Sequence, residues 1–388
     1  MLKKSILFKN FQKSFSINND KKKILKIFNE ILSENSEIIK SLSHDYKNSF
    51  KKKQLSIIKK KFFNLRIIGM GGSILGAQAI YDFLKHKIKK NFTFVNNLQN
   101  KINNKKKNFM NLVISKSGNT IETLVNSNIL IKKNNQNIFI TENKQSYLKT
   151  LAEKLKSEIV HHNNFIGGRY SVLSEVGMLP AELMDLNINH FKQLNSIIKN
   201  KYFFNALINN VASTFFLIKK KRFNSIIINY DERSDNLFNW YQQLIAESLG
   251  KKKKGFLPIV STMPKDNHSV MQLYLDGFKN NFFTFFYVNE NKTPKINNII
   301  FNKDNNYLKN KNLSDIIYAQ FKATQNVFAK KNIPFRSFEI KKRNEKTLGE
   351  LFSFFILETI LLGRALNINP YNQPAVELIK KETNKILL

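Results

Sequence analysis

The sequence predicts an α/β protein: two doubly wound subdomains with mainly parallel sheets, plus helical segments at the amino and carboxyl ends. Two observations predict it. Short apolar strand-like runs alternate with helix-like runs from about residue 61 onward, and the alternation occurs twice, with helical sequence around residues 175–215 in between. The strand-like runs are apolar at consecutive positions, the pattern of parallel strands covered on both faces. A length of 388 residues is enough for about two domains, each with a substantial core.

Residues 1–60 carry apolar positions at helical spacing among Lys, Asn and Ser, and are expected to form helices packed on a domain. The first subdomain, 61–200, should place strands at LRIIG (65–69), FTFVN (92–96), NLVIS (111–115) and NIFIT (137–141), with helices after the first and third. The second, 201–365, should place them at SIIINY (225–230), FLPIVST (256–262), FFTFFYV (282–288) and IPFRSFEI (333–340). Helical runs such as DNLFNWYQQLIAESLG and HSVMQLYLDG separate these strands. Residues 366–388 read as a loop and helix that complete the site, and the Asn- and Lys-rich interval 289–312 as an exposed loop. In doubly wound sheets ligands bind beyond the carboxyl ends of the strands, so the strand-to-helix turns are where chemistry is sought.

Composition narrows the function classes. A formal net charge of +36 invites a nucleic-acid reading. The lysines, however, fall in short runs throughout (21–23, 51–53, 105–107, 251–254) among many Asn, Ile and Phe, as a compositional bias would leave them, so solvated faces and no nucleic-acid partner are expected. The absence of cysteine excludes disulfides, iron–sulfur clusters and thiol chemistry, and is compatible with a cytoplasmic protein. MLKKSILFKNFQK has its apolar run broken at Lys9 and does not read as a signal peptide. LFSFFILETILLG is only about half to two-thirds of a spanning length and contains Glu358, so it is expected to be a buried core helix, with no membrane partner.

Six stretches carry candidate chemistry. In IGMGGSILG an apolar strand runs into Gly69, Gly71 and Gly72 and then a helix, so the turn is either a packing turn or a phosphate cradle. The G-x-G-x-x-G spacing and the acidic residue that would hold a ribose are missing, as is the G-K-[ST] of a P-loop, which argues against a nucleotide. SKSGNTIET gathers Ser115, Lys116, Ser117 and Thr120 around Gly118 at a helix start. Asn119 and Glu122 have the spacing of a capping box, but three hydroxyls, a glycine and a lysine are what a dianionic phosphate monoester needs. In FIGGRYS, Gly167 and Gly168 precede Arg169, which is either a surface cation after a turn or a fork for an oxyanion. In NWYQQLIAESLGK, Trp240, Gln243 and Glu247 share a helix face. Glu247 lies just before the expected C-cap Gly250, where the helix dipole disfavours an anion, and is either an exposed glutamate or a proton-transferring base. His268 in PKDNHSVMQ is a lone histidine at an expected helix start, a cap or an acid/base group. In NPYNQPAVELIKK, Lys380 lies three residues after Glu377, at ion-pair spacing.

In this order IGMGGSILG, SKSGNTIET, IGGRYS, QQLIAESLGK, DNHSVMQLYLDG and NPYNQPAVELIKK resemble signature segments of the glucose-6-phosphate isomerase family, collinearly over residues 67–381. The resemblance implies two sugar-isomerase (SIS) subdomains and reversible interconversion of glucose 6-phosphate and fructose 6-phosphate through a cis-enediol. It implies that Glu247 moves the proton between C1 and C2, that Arg169, next to Gly168, stabilises the enediolate, and that His268 and Lys380 assist ring opening. His268 would be contributed by the neighbouring subunit of a homodimer and oriented by Glu122. Gln243 and Gln373 would position substrate, and Gly72, Ser73, Ser115, Lys116, Ser117 and Thr120 would hold the phosphate. No cofactor is implied, because the hydrogen moves as a proton and the redox change is internal to the sugar. The chain departs from the family in being shorter than typical members, and in carrying Gly118 and Asn119 where many members have Phe-Thr, which leaves the more general SIS pattern Ser-x-Ser-Gly-x-Thr. Alternative readings are a bifunctional glucose/mannose phosphate isomerase, or a non-catalytic SIS regulator, which should carry a helix-turn-helix segment that residues 1–60 do not clearly offer.

Overall fold

A computed structural model of the chain describes residues 4–11, 15–98, 109–290, 293–297 and 303–388. The lysine run 105–107 and part of the interval 289–312 lie outside them.

The first sheet contains β2 (Asn64–Gly69), β3 (Asn91–Val95), β4 (Met110–Ile114), β5 (Gln136–Thr141) and β6 (Glu158–His161), in the order β3-β2-β4-β5-β6 with every pair parallel. The second contains β1 (Ile6–Lys9), β7 (Asn224–Asn229), β8 (Leu257–Thr262), β9 (Asn281–Val288) and β10 (Phe335–Ile340), in the order β1-β10-β9-β7-β8. All its pairs are parallel except β1 with β10. The eight strands expected from sequence are present within two residues at each end, in two mainly parallel sheets, as predicted.

Two strands escaped the sequence reading. β1 lies in the segment expected to be helical, and pairs antiparallel with β10 in the second sheet, Ile6 opposite Ile340. Its four residues are too short a run to show a period, and their strand conformation is imposed by the open edge of β10, which they cover. β6 is an edge strand that buries only Val160, so it lacks an apolar run. The helical expectation for the amino-terminal segment holds for Asn18–Ser33, Glu37–Ser41 and Lys52–Lys61. Asn18–Ser33 turns Ile24, Ile27, Phe28 and Ile31 inward against the helices Lys201–Lys219 and Glu345–Ala365.

Glu345–Ala365, which includes LFSFFILETILLG, is buried almost all round, as a core helix should be. It packs against Asn18–Ser33, Lys201–Lys219 and Asp235–Leu249. Among the described residues no helix is long and apolar enough to cross a membrane. Glu358, the one acid of LFSFFILETILLG, is fully buried and paired with Arg336 of β10, whose Nη1 and Nη2 both donate to the carboxylate and whose Nε donates to Thr284 Oγ1 at 2.9 Å. That pair ties the core helix to the sheet beneath it. The described lysine runs at 21–23, 51–53 and 251–254 are exposed or half-buried on the surface.

The order of the first sheet locates a site. From β2 the chain moves outward to β3, and from β4 it moves the other way to β5 and β6, so a crevice opens between the carboxyl ends of β2 and β4. Gly69 and Ile114, the last residues of these strands, are register partners, which sets the turns IGMGGS and SKSGNT side by side. The helix Asp235–Leu249 packs across Leu75–Phe83, the helix that leaves the first turn, and brings the second subdomain to the same crevice.

Replacing Glu358 with Ala leaves the Arg336 guanidinium buried without its counter-charge, and should lower unfolding free energy by about 3–5 kcal/mol in denaturant titration.

Candidate active site

Arg169 is the centre of the site. It lies in a 3₁₀ segment, Gly168–Leu173, and is only 2% exposed. All five of its N–H groups have acceptors. Nε donates to Ser248 Oγ at 2.7 Å, Nη1 to Glu247 Oε2 at 3.1 Å and Gln373 Oε1 at 2.7 Å, and Nη2 to the carbonyls of Pro370 at 2.7 Å and Asn372 at 3.3 Å. A buried guanidinium is stable only when its donors are met in this way. The surface-cation reading of Arg169 is therefore excluded.

The acceptors come from elements distant in sequence. Ser248 and Glu247 lie in the last turn of Asp235–Leu249, before the C-cap Gly250, as expected. On the same face, Gln243 Nε2 donates to Glu247 Oε1 at 2.8 Å, and fully buried Trp240 donates Nε1 to the Arg169 carbonyl at 3.1 Å. Glu247 is thus held through both oxygens while its side chain stays 30% exposed to the crevice. Tyr170 donates its hydroxyl to Pro370 O at 3.0 Å and lies 2.8 Å from Ser248 Oγ; burial pushes its phenol up to about 12, so it remains a donor through the neutral range.

The two turns of the first sheet meet this cluster. A Cβ on Gly72 would come within 2.2 Å of the Gly168 carbonyl carbon and 2.4 Å of the Arg169 nitrogen, so the GMGG backbone lies directly on the GGR backbone. That approach, rather than the turn alone, explains the glycine. Gly71 borders the Gln243 amide in the same way. Ser73, next along the turn, is buried.

In the neighbouring turn Gly118 has a φ of +66° and lies against Ser146, where a side chain would collide. Ser115 Oγ and Thr120 Oγ1 are 3.0 Å apart, Ser117 Oγ accepts from Asn119 N at 3.3 Å, and Lys116 Nζ donates to Asn164 O at 2.8 Å. The expected capping box is not formed. The helix begins one residue later, at Ile121, with Thr120 at the N-cap and no side-chain cap, while Asn119 Oδ1 accepts from Tyr147 N and ties down the next helix instead. The first-turn N–H groups of Ile121–Leu130 therefore lack a side-chain cap, an arrangement suited to an anion.

Three expected residues do not join the cluster within one chain. His268 is exposed and ends a short 3₁₀ turn (Lys265–His268) instead of starting a helix. Glu122 is half-buried and makes no hydrogen bond to it. Lys380 Nζ pairs with Glu377 Oε1 at 2.6 Å on the helix Val376–Leu387, none of whose residues is buried. The ion-pair reading of that spacing is the one realised. Conversely, Ser248, Tyr170 and Lys251 were not singled out in the sequence, although each adjoins a residue that was. Their partners, among them Arg169 Nε for Ser248 and loop carbonyls for Tyr170 and Lys251, lie far away in sequence, which no spacing reveals.

Gly72→Ala forces the two stacked backbones apart and should lower unfolding free energy by about 1–3 kcal/mol in a denaturant melt, as overpacking does.

Comparison with known proteins agrees with this geometry. The phosphoglucose isomerase family model matches residues 15–263. The chain is 35% identical over 338 residues to a glucose-6-phosphate isomerase of Methanocaldococcus jannaschii, covering 82% of each, and 34% identical to that of Mycoplasmopsis pulmonis, covering 88% of this chain and 84% of the relative. In fold it is similar to a hypothetical protein of Thermus thermophilus (TM-score 0.84, 20% identity, 98% of this chain and 100% of that one) and to a glucose-6-phosphate isomerase of Chlamydia trachomatis (TM-score 0.69, 18% identity, 99% and 81%). With the family model matching well over half of its length and relatives above 30% identity covering most of the remainder, the chain belongs to the phosphoglucose isomerase family.

Proposed function

We infer that the chain catalyses the reversible isomerisation of glucose 6-phosphate and fructose 6-phosphate, a step of glycolysis and gluconeogenesis. The observation that carries the reading is the exposed face of Glu247, held by Arg169 and Gln243 beside the two turns of the first sheet. An aldose–ketose isomerase needs a base that can reach both C1 and C2, a cation at the oxygens that become an enediolate, and a phosphate anchor that fixes the sugar between them.

In this reading Ser73, Ser115, Ser117, Thr120 and the open first turn of Ile121–Leu130 hold the phosphate, with the Gly72 backbone and Lys116 beside them. Glu247 takes the proton from C2 of the open-chain aldose; the pair released from the C2–H bond forms the C1–C2 double bond while the C1=O π pair moves onto O1. The hydroxyl proton passes from O2 to O1, and as the C2=O bond forms the same carboxyl returns its proton to C1. Arg169 Nη1, whose acceptors are Glu247 and the exposed Gln373 amide, is the donor that can exchange onto the developing enediolate oxygens. Gln243 orients the base and has a buried Oε1 with no partner. Its position supports a contact with a sugar hydroxyl.

His268 and Lys380 are assigned to ring opening by motif position, with Glu122 orienting the histidine. The exposed place of His268 on the turn Lys265–His268, outside the Arg169 cluster, supports a homodimer in which the neighbouring subunit supplies it. A phosphorylated sugar substrate and a chain without cysteine support a cytoplasmic place of action.

In a dehydrogenase-coupled assay of fructose 6-phosphate conversion, the wild-type protein should turn over and Glu247→Gln should lose about 10²–10⁴-fold in kcat, the range expected for loss of a general base. Unchanged turnover in that variant removes Glu247 from the role. If His268 acts in trans, mixing inactive Glu247→Gln and His268→Ala proteins under exchange conditions should restore activity, because a mixed dimer has one intact site; a mixture that stays inactive while exchanging subunits contradicts it.

A further inference from the structure

Lys251 is the first residue beyond the C-cap of the helix that carries Glu247. Its Nζ donates to three acceptors, all on one short loop: the carbonyls of Asn369 at 2.6 Å and Asn372 at 2.5 Å, and Asn372 Oδ1 at 3.2 Å. The Asn372 carbonyl is shared with Arg169 Nη2, and the Pro370 carbonyl between them is taken by Arg169 and Tyr170. The loop therefore has two cations on it, one buried and one at the surface.

Little else holds the segment. Pro370 is buried, but Asn369 and Asn372 to Ala375 are exposed, and the following helix, Val376–Leu387, buries no residue. Tyr371 contributes a tilted ring contact with Tyr170, at 5.9 Å between centroids, and its N–H bonds back to Asn369 Oδ1 at 2.9 Å. Without Lys251, the stretch that presents Gln373 would be left with the guanidinium whose geometry it is meant to set, the Tyr170 hydroxyl on Pro370 O, and the ring contacts of Tyr371 with Tyr170 and Arg364.

We propose that Lys251 is a positioning residue of the isomerase: by clamping Asn369–Gln373 onto Arg169 it holds the guanidinium and the Gln373 amide at the reacting carbons without touching substrate. This rests on the isomerase reading above. The lysine sits against a like charge: the charged group facing it from the neighbouring 3₁₀ segment is Arg169, and the loop offers only amide dipoles. From its own helix Glu247 opposes the repulsion. Burial, reinforced by Arg169 and offset by Glu247, lowers the Lys251 ammonium to about 8. Below that pH the ammonium has three donors for its three acceptors; above it the neutral amine has two and no charge. The clamp should loosen as pH rises through 8.

The test compares Lys251→Met and Lys251→Arg with wild type by pH–rate profile and by hydrogen exchange of the loop. Lys251→Met should lower kcat at pH 7 at least tenfold, change KM for fructose 6-phosphate less than threefold, and speed amide exchange over residues 369–375. Lys251→Arg should keep most of the activity and move the alkaline limb, expected near pH 8 in wild type, upward by a unit or more. Lys192 is also lowered to about 8, so the shift in Lys251→Arg is what assigns the limb. Wild-type kcat in Lys251→Met, or an unmoved limb in Lys251→Arg, overturns the proposal. A wild-type protein without isomerase activity overturns the isomerase reading instead, and the loop's exchange in Lys251→Met then decides whether the clamp exists.

Discussion

A single buried cation organises this molecule. Arg169 lies almost wholly out of water, and an unpaired guanidinium there would cost several kcal/mol, so each of its N–H groups must be met. The acceptors are recruited from the end of Asp235–Leu249 and from the loop Pro370–Gln373, elements that begin roughly 65 and 200 residues further along the chain. Satisfying one side chain therefore brings the first sheet's border, the second subdomain's helix and the carboxyl-terminal loop to a common point. Because Glu247 is among the acceptors, folding the arginine also fixes the carboxylate that we infer to be the base.

The glycines complete what the arginine starts. Gly72 lets the turn after β2 lie backbone to backbone on Gly168 and Arg169, and Gly118 takes the left-handed conformation that lets the turn after β4 fold under Ser146. Both turns sit at the switch point of the first sheet, where the chain leaves in opposite directions and the ends of two strands stay uncovered. The first turn lies next to the arginine cluster because Gly71 borders the Gln243 side chain, and Gln243 bonds the Glu247 carboxylate.

Away from the site, rigidity rests on a dry core and a second buried pair. Arg336 and Glu358 join β10 to the core helix, and β1 covers the edge that β10 would otherwise leave open. This is the side of the molecule that must not move if the helix bearing Glu247, packed on the same core helix, is to stay in place. Apart from Lys251, the described lysine runs take no part in either device: they lie at the surface, where they attract anions in general and specify none.

Much of this was legible in the sequence. The mainly apolar runs at 65–69, 111–115 and 282–288 mark parallel strands because both faces are buried. The i, i+3 and i+4 spacing put Trp240, Gln243 and Glu247 on one face, where the structure finds them bonded. What sequence could not supply was anything that depends on a distant partner. β1 is a strand only because β10 has an open edge, Asn119 caps a neighbouring helix because Tyr147 lies beside it, and Lys251 is distinguished from the lysines after it by three acceptors on a loop more than a hundred residues away. Local periodicity determines which element forms and which face is apolar, since those follow from the backbone's own repeat. Which polar groups meet is decided by tertiary packing, because a buried charge selects its partners by proximity in space.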